Sequence, residues 1–102
     1  MNISIKTIHF RPSSSLISFV QNRINTLKKF NSHIESARIH LRLEKDRRKK
    51  NKVAEIRMHL PGRDLVVKKR SETFEKSLSS AQLCIGRLLL RSNRKAKTLK
   101  KQ

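Results

Sequence analysis

From Ser36 to Leu60 the apolar residues fall on every second position, and on either side of that stretch they recur every third or fourth. Ala37, Ile39, Leu41 and Leu43 alternate with Arg38, His40, Arg42 and Glu44, then Ala54, Ile56, Met58 and Leu60 alternate with Glu55, Arg57 and His59. A period of two makes each run a strand with one apolar face. Leu16, Val20, Ile24 and Leu27, with Ile17 and Phe30 alongside, form a helical stripe over about residues 14–30. Phe74, Leu78, Ala81, Ile85 and Leu88/Leu89 form a second, on a helix that starts near Thr73 and runs into the 90s.

The remaining elements follow from local signals. Ile3, Ile5, Ile8 and Phe10 describe a short opening strand over about residues 2–9, and Pro12 with the serines behind it marks a break and a helix cap. Pro61-Gly62 has the residues of a type II turn and joins the third strand to a fourth, residues 64–70, built on Leu65, Val66 and Val67. Ser71-Glu72-Thr73 starts the second helix, with acid in the first turn where the dipole favours it. The order is β-α-β-β-β-α, an α+β fold in which a four-stranded sheet carries both helices on one face. The first crossover, if it joins parallel neighbours, is right-handed. A chain of 102 residues has room for one domain.

Charge narrows the partner. Lys and Arg number 26 against seven Asp and Glu, a formal net charge of +19. Such an excess opposes compaction by self-repulsion, and a polyanion relieves it; nucleic acid is the leading candidate and a membrane surface the other. All seven acids lie between Glu35 and Glu75, so the first helix and most of the second carry cations alone. Arg23, Lys28 and Lys29 on helix one, and Lys76, Arg87, Arg91, Arg94 and Lys95 on helix two, are therefore the expected RNA-binding platform. The loop from Lys45 to Lys52 is a second basic patch, with Arg47, Arg48, Lys49 and Lys50 at its centre. It reads equally well as a phosphate contact or as a soluble hairpin end.

Other chemistries find little support. Phe19, Phe30 and Phe74 sit in or beside the apolar stripes and read as core, which leaves no aromatic platform for base stacking on the sheet. His40 and His59 are candidate neighbours across strands two and three, but no further ligands are spaced for a metal. One cysteine, Cys84, excludes an internal disulfide. No nucleophile elbow, phosphate loop or carboxylate pair is present, so no enzyme, metal site, cofactor or small-molecule substrate is expected. No apolar stretch long enough for a signal peptide or a membrane span is seen, and the expected location is the cytoplasm. Leu83, Cys84, Leu88 and Leu90 spill beyond one helical stripe; a wider buried face is the simpler reading and an exposed partner-binding patch the other.

Leu60-Pro61-Gly62, Leu65-Val66-Val67 and Ser71-Glu72-Thr73-Phe74 lead into a long basic helix, behind an opening with Leu16-x-x-Phe19-Val20-x-x-Arg23-Ile24-x-x-Leu27-x-Lys29-Phe30. In this order and spacing the chain resembles the short form of the ribosome hibernation-promoting factor, or ribosome-associated inhibitor (sigma-54 modulation), family, over residues 1–95. The resemblance implies a ribosome-binding domain over 1–95; the polar and basic end, 96–102, reads from its composition as a disordered tail. It implies that the domain sits in the mRNA/tRNA channel, contacts 16S rRNA of the small ribosomal subunit and inhibits translation by idle ribosomes, with another hibernation factor as a possible partner. Arg23, Lys29 and Arg87 match family basic positions, and Lys28, Arg91, Arg94 and Lys95 lie in similar regions. Three positions depart: Thr73-Phe74-Glu75 where family members carry an aspartate-hydrophobe-tyrosine run, Cys84 at a lysine position, and Gly86-Arg87 where Glu-Arg is usual. On the residues alone a general double-stranded RNA binder or ribosome assembly factor remains open, because a β-β-β-α unit with a basic helix permits it.

Overall fold

Alternating sequence becomes strand and three-four spacing becomes helix in the computed structural model, which describes residues 1–45 and 49–101, without the side chains of 92–101. The elements are β1 (Asn2–Ile8), α1 (Ser14–Asn25), a 3₁₀ turn (Thr26–Lys29), β2 (Ser36–Leu43), β3 (Lys52–Leu60), β4 (Arg63–Ser71) and α2 (Phe74–Lys101). The strands form one mixed sheet in the order β1-β2-β3-β4. β1 runs parallel to β2, with Ile3 opposite Ala37 and Ile5 opposite Ile39, and α1 supplies the crossover that a parallel neighbour requires. The other pairings are antiparallel, with Ile39 opposite Ile56 and Ile56 opposite Val67.

One cluster forms the core. Leu16, Val20, Ile24 and Leu27 from the first helical segment meet Phe74, Leu78, Ala81, Ile85 and Leu89 of α2 over the apolar face of the sheet. Both helices therefore cover the same face. Ser13 caps α1, its hydroxyl accepting from the Leu16 amide at 3.1 Å. Thr73 caps α2 in the same way, accepting from Lys76 N–H at 3.1 Å. The buried Ser77 hydroxyl donates to the Lys52 carbonyl at 2.6 Å and so pins the start of α2 to the start of β3. Gly62 takes φ +80, the left-handed value that the third position of a type II turn needs.

The expected first helix of residues 14–30 is corrected in its last turn. The α-helix stops at Asn25, and Thr26–Lys29 continue as a 3₁₀ turn. The Thr26 hydroxyl donates to the Arg23 carbonyl at 2.6 Å, a side-chain bond that competes with the helical ladder and tightens it. The stripe survives because Leu27 remains buried. At the other end of the chain, α2 continues as helix to Lys101, into the segment 96–102 where a disordered tail was expected.

Gly86 lies where α2 meets the first helical segment. A methyl group added there would touch Phe30 at 3.6 Å and Leu27 at 3.7 Å, ordinary van der Waals distances. Glycine inside a helix is less favourable than alanine by about 0.5–1 kcal/mol. Gly86→Ala will thus raise the melting temperature by about 3–5 °C in a thermal melt followed by circular dichroism; a lower value would mean that the seam between the helices does not admit a methyl group.

Candidate nucleic-acid interface

The helix-borne cations whose side chains are described are exposed, and they divide into two groups. Arg23 on α1, Lys28 and Lys29 on the 3₁₀ turn, and Arg87 and Arg91 on α2 lie along the two elements that meet at Gly86 and Phe30. A hydrogen bond from the Gln82 amide to the Thr26 hydroxyl, 3.0 Å, closes the same seam. Lys76 stands apart. It is eleven residues before Arg87 on the same helix, about 16 Å along the axis. It lies in the first turn of α2, beside Glu72 and Thr73, which share a depression with Lys49, Asn51 and Lys52. Lys76 therefore belongs with the exposed Lys49 and Lys50 at the end of the sheet rather than with the seam. Arg47 and Arg48, and the side chains of Arg94 and Lys95, lie outside the described residues.

Electrostatically the two sides of the molecule differ. Glu35, Glu44, Glu55 and Asp64, all at or near the strands, hold ion pairs with cations of the sheet. Arg23, Lys28, Lys29, Arg87 and Arg91 have no carboxylate partner among the described residues. The Arg23 guanidinium lies 5.0 Å from the Phe19 ring centre, which orients it without neutralising it. A row of unneutralised cations at a helix seam presents donors and charge to a phosphate backbone and offers no geometry for reading bases.

Three expectations about side chains change. Leu83 is 66% exposed and Leu90 also stands out, whereas Cys84 and Leu88 are partly buried against the core. The wider buried face thus holds for the second pair only, because positions 83, 87 and 90 follow each other on the outer side of α2. Phe30 is exposed rather than core, since the chain leaves the 3₁₀ turn there. Phe74 is buried and stacks on Phe10 with ring centres 4.3 Å apart. His40 and His59 share the open face of the sheet but are not neighbours: His40 faces Glu55 and His59 faces Ser36, two rungs away. No group of three metal-ligating side chains is found among the described residues.

Each histidine has acidic company instead. His40 lies 3.6 Å from Glu55, whose carboxyl is held below its ordinary range chiefly by the 2.8 Å hydrogen bond from Arg57, against the opposing effect of burial. His59 bonds Asp64 through Nδ1 and approaches Glu35 at 3.1 Å through Nε2, and the Asp64 bond leads in holding its proton to higher pH.

Residues 3–97 match the family model of the sigma 54 modulation protein / S30EA ribosomal protein. The chain belongs to that family. The fold is similar to the N-terminal domain of Protein Y from Thermus thermophilus, with a TM-score of 0.75 and 20% identity over 89% of this chain and 98% of that one. It is also similar to a ribosomal subunit interface protein from Coxiella burnetii, with a TM-score of 0.80 and 18% identity over 94% of this chain and 99% of that one. No curated protein sequence matches the chain. Among the described residues no helix is long and apolar enough to cross a membrane.

Proposed function

We propose that this S30EA-family domain is a ribosome hibernation factor. It binds the small ribosomal subunit in the mRNA/tRNA channel, contacts 16S rRNA phosphates with the seam of its two helices, and keeps idle ribosomes out of translation. The observation that carries this reading is the row Arg23, Lys28, Lys29, Arg87 and Arg91, exposed and without a carboxylate partner among the described residues. The family's description as a ribosomal protein and the name of one structural relative, a ribosomal subunit interface protein, support it. Residues 1–95 form the ribosome-binding domain in this reading, and 96–102 add basic charge. The action is occupancy rather than catalysis: a rigid body fills the path that mRNA and anticodons need. Its place is the cytoplasm, where ribosomes work, with a second hibernation factor as a further partner.

Sucrose-gradient fractionation of stationary-phase cells tests the reading. The protein is expected with small subunits and monosomes and depleted from polysomes. Its absence from both would end the proposal. Equally tight binding to an arbitrary RNA duplex, with no preference for ribosomes, would favour the general double-stranded RNA binder instead.

A further inference from the structure

Among the described residues no helix packs on the sheet face away from the core, and the registers of that face place side chains in rows. Ser4, Arg38, Arg57 and Val66 form one row across all four strands. Lys6, His40, Glu55 and Lys68 form the next, and Ile8, Arg42, Val53 and Arg70 the one after. Arg38 and Arg57 are therefore directly opposed like charges on neighbouring strands, an arrangement that opposes folding. No carboxylate relieves Arg38 among the described residues. The nearby acids are engaged elsewhere: Glu35 and Asp64 on His59, and Glu55 on Arg57 and His40. Glu55 takes only the Nε–H of Arg57, which leaves both terminal amino groups of that guanidinium for another acceptor.

The two arginines, with His59, Asp64, Ser36, Met58 and Val66, line an open depression of about 300 Å³. Val66 is 51% exposed at its edge. From it the cations continue along the strands, Arg38 and Arg42 on β2 and Lys68 and Arg70 on β4, with same-face positions about 6.7 Å apart. We propose that Arg38 and Arg57 form a phosphate clamp for a second stretch of RNA backbone, so that the domain grips RNA on both faces. Paired guanidinium forks suit the two non-bridging oxygens of a phosphodiester. The strands contain no Phe, Tyr or Trp, so contact is to the backbone and not by stacking. An extended polyanion matches cations spread along the strands better than a compact acidic patch does.

This site goes beyond the helix-seam reading and is tested apart from it. Full-length ¹⁵N-labelled protein is titrated with a uridine hexanucleotide, and separately with a hexaglutamate peptide, in amide-resolved NMR. With the hexanucleotide, saturable shifts are expected at Arg38, Arg57 and Val66, and they persist when Arg23→Glu and Arg87→Glu disable the seam. Arg38→Gln with Arg57→Gln is expected to weaken this response about tenfold and to leave the melting temperature equal or higher, because a like-charge pair is removed. Val66→Glu, which sets a carboxylate in the depression, is expected to weaken it as well. Shifts confined to helix residues, or hexaglutamate acting as strongly as RNA, would overturn the clamp. Loss of the sheet response in the seam variant would overturn it too, by making the two faces one site.

Discussion

Replacing Arg23 and Arg87 together by glutamate will lower affinity for the small ribosomal subunit by about 100-fold or more at 150 mM salt, with the fold intact. Each arginine is exposed and lacks a carboxylate partner among the described residues, so its charge is available to a phosphate. A hydrogen bond to a charged group contributes about 1.5–3 kcal/mol, and a glutamate in its place adds repulsion. Two such losses sum to about 3–6 kcal/mol, and each 1.4 kcal/mol is about tenfold in affinity. The fold survives because neither side chain is part of the core; the Arg23 contact with the Phe19 ring is a surface one. The slope of log affinity against log salt also becomes shallower by about two, the counterions of two phosphates no longer being released. Filter binding or fluorescence anisotropy against purified subunits, at several salt concentrations, reads both. Unchanged affinity would mean that the helix seam is not the contact surface.

Ile56→Ala will cost about 3–4 kcal/mol of folding stability and lower the melting temperature by about 15 °C. Ile56 is fully buried on β3, an interior strand, flanked by Ile39 and Val67 in register, and its side chain faces the layer where the helices pack. Truncation removes three buried carbons and leaves a cavity that two well-bonded neighbouring strands cannot collapse into. Against a domain whose whole stability is about 5–10 kcal/mol, this is a large fraction. Urea titration followed by circular dichroism measures it through the shift in midpoint. A loss below about 1 kcal/mol would show that the sheet relaxes around the gap or that the core lies elsewhere.

The Arg38–Arg57 row gives the sheet face a different energetic character from the helix seam. At the seam the cations face solvent and belong to stretches, residues 14–29 and 76–101, that contain no acid. On the sheet, several cations are matched: Arg42 and Arg70 with Glu44, Arg57 and His40 with Glu55. Arg38, opposed to a like charge and without a carboxylate partner among the described residues, is the kind of local conflict that folded proteins keep where something binds.

Much of the architecture was legible from residue order. Period two in 37–43 and 54–60, period three to four in 16–27 and 74–89, and Pro61-Gly62 between two strands determined the elements, the apolar face of each and the hairpin. These are local matters: the direction of a side chain within one element follows from backbone geometry. The cationic nature of the helices was equally legible, because residues 14–29 and 76–101 contain no acid of their own. What tertiary structure alone decided was which side chains from different elements share a surface. A one-residue change in register reverses every facing, so the alternation in β2 and β3 did not reveal that Arg38 opposes Arg57 or that His40 and His59 stand two rungs apart. Likewise the stripe on α2 did not show that Lys76 joins the Lys49 end while Arg87 joins the first helical segment. Nor did it show that the turn at Thr26 leaves Phe30 at the surface beside Gly86. Those placements depend on how the helices settle on the sheet, and that is determined by contacts between residues far apart in sequence.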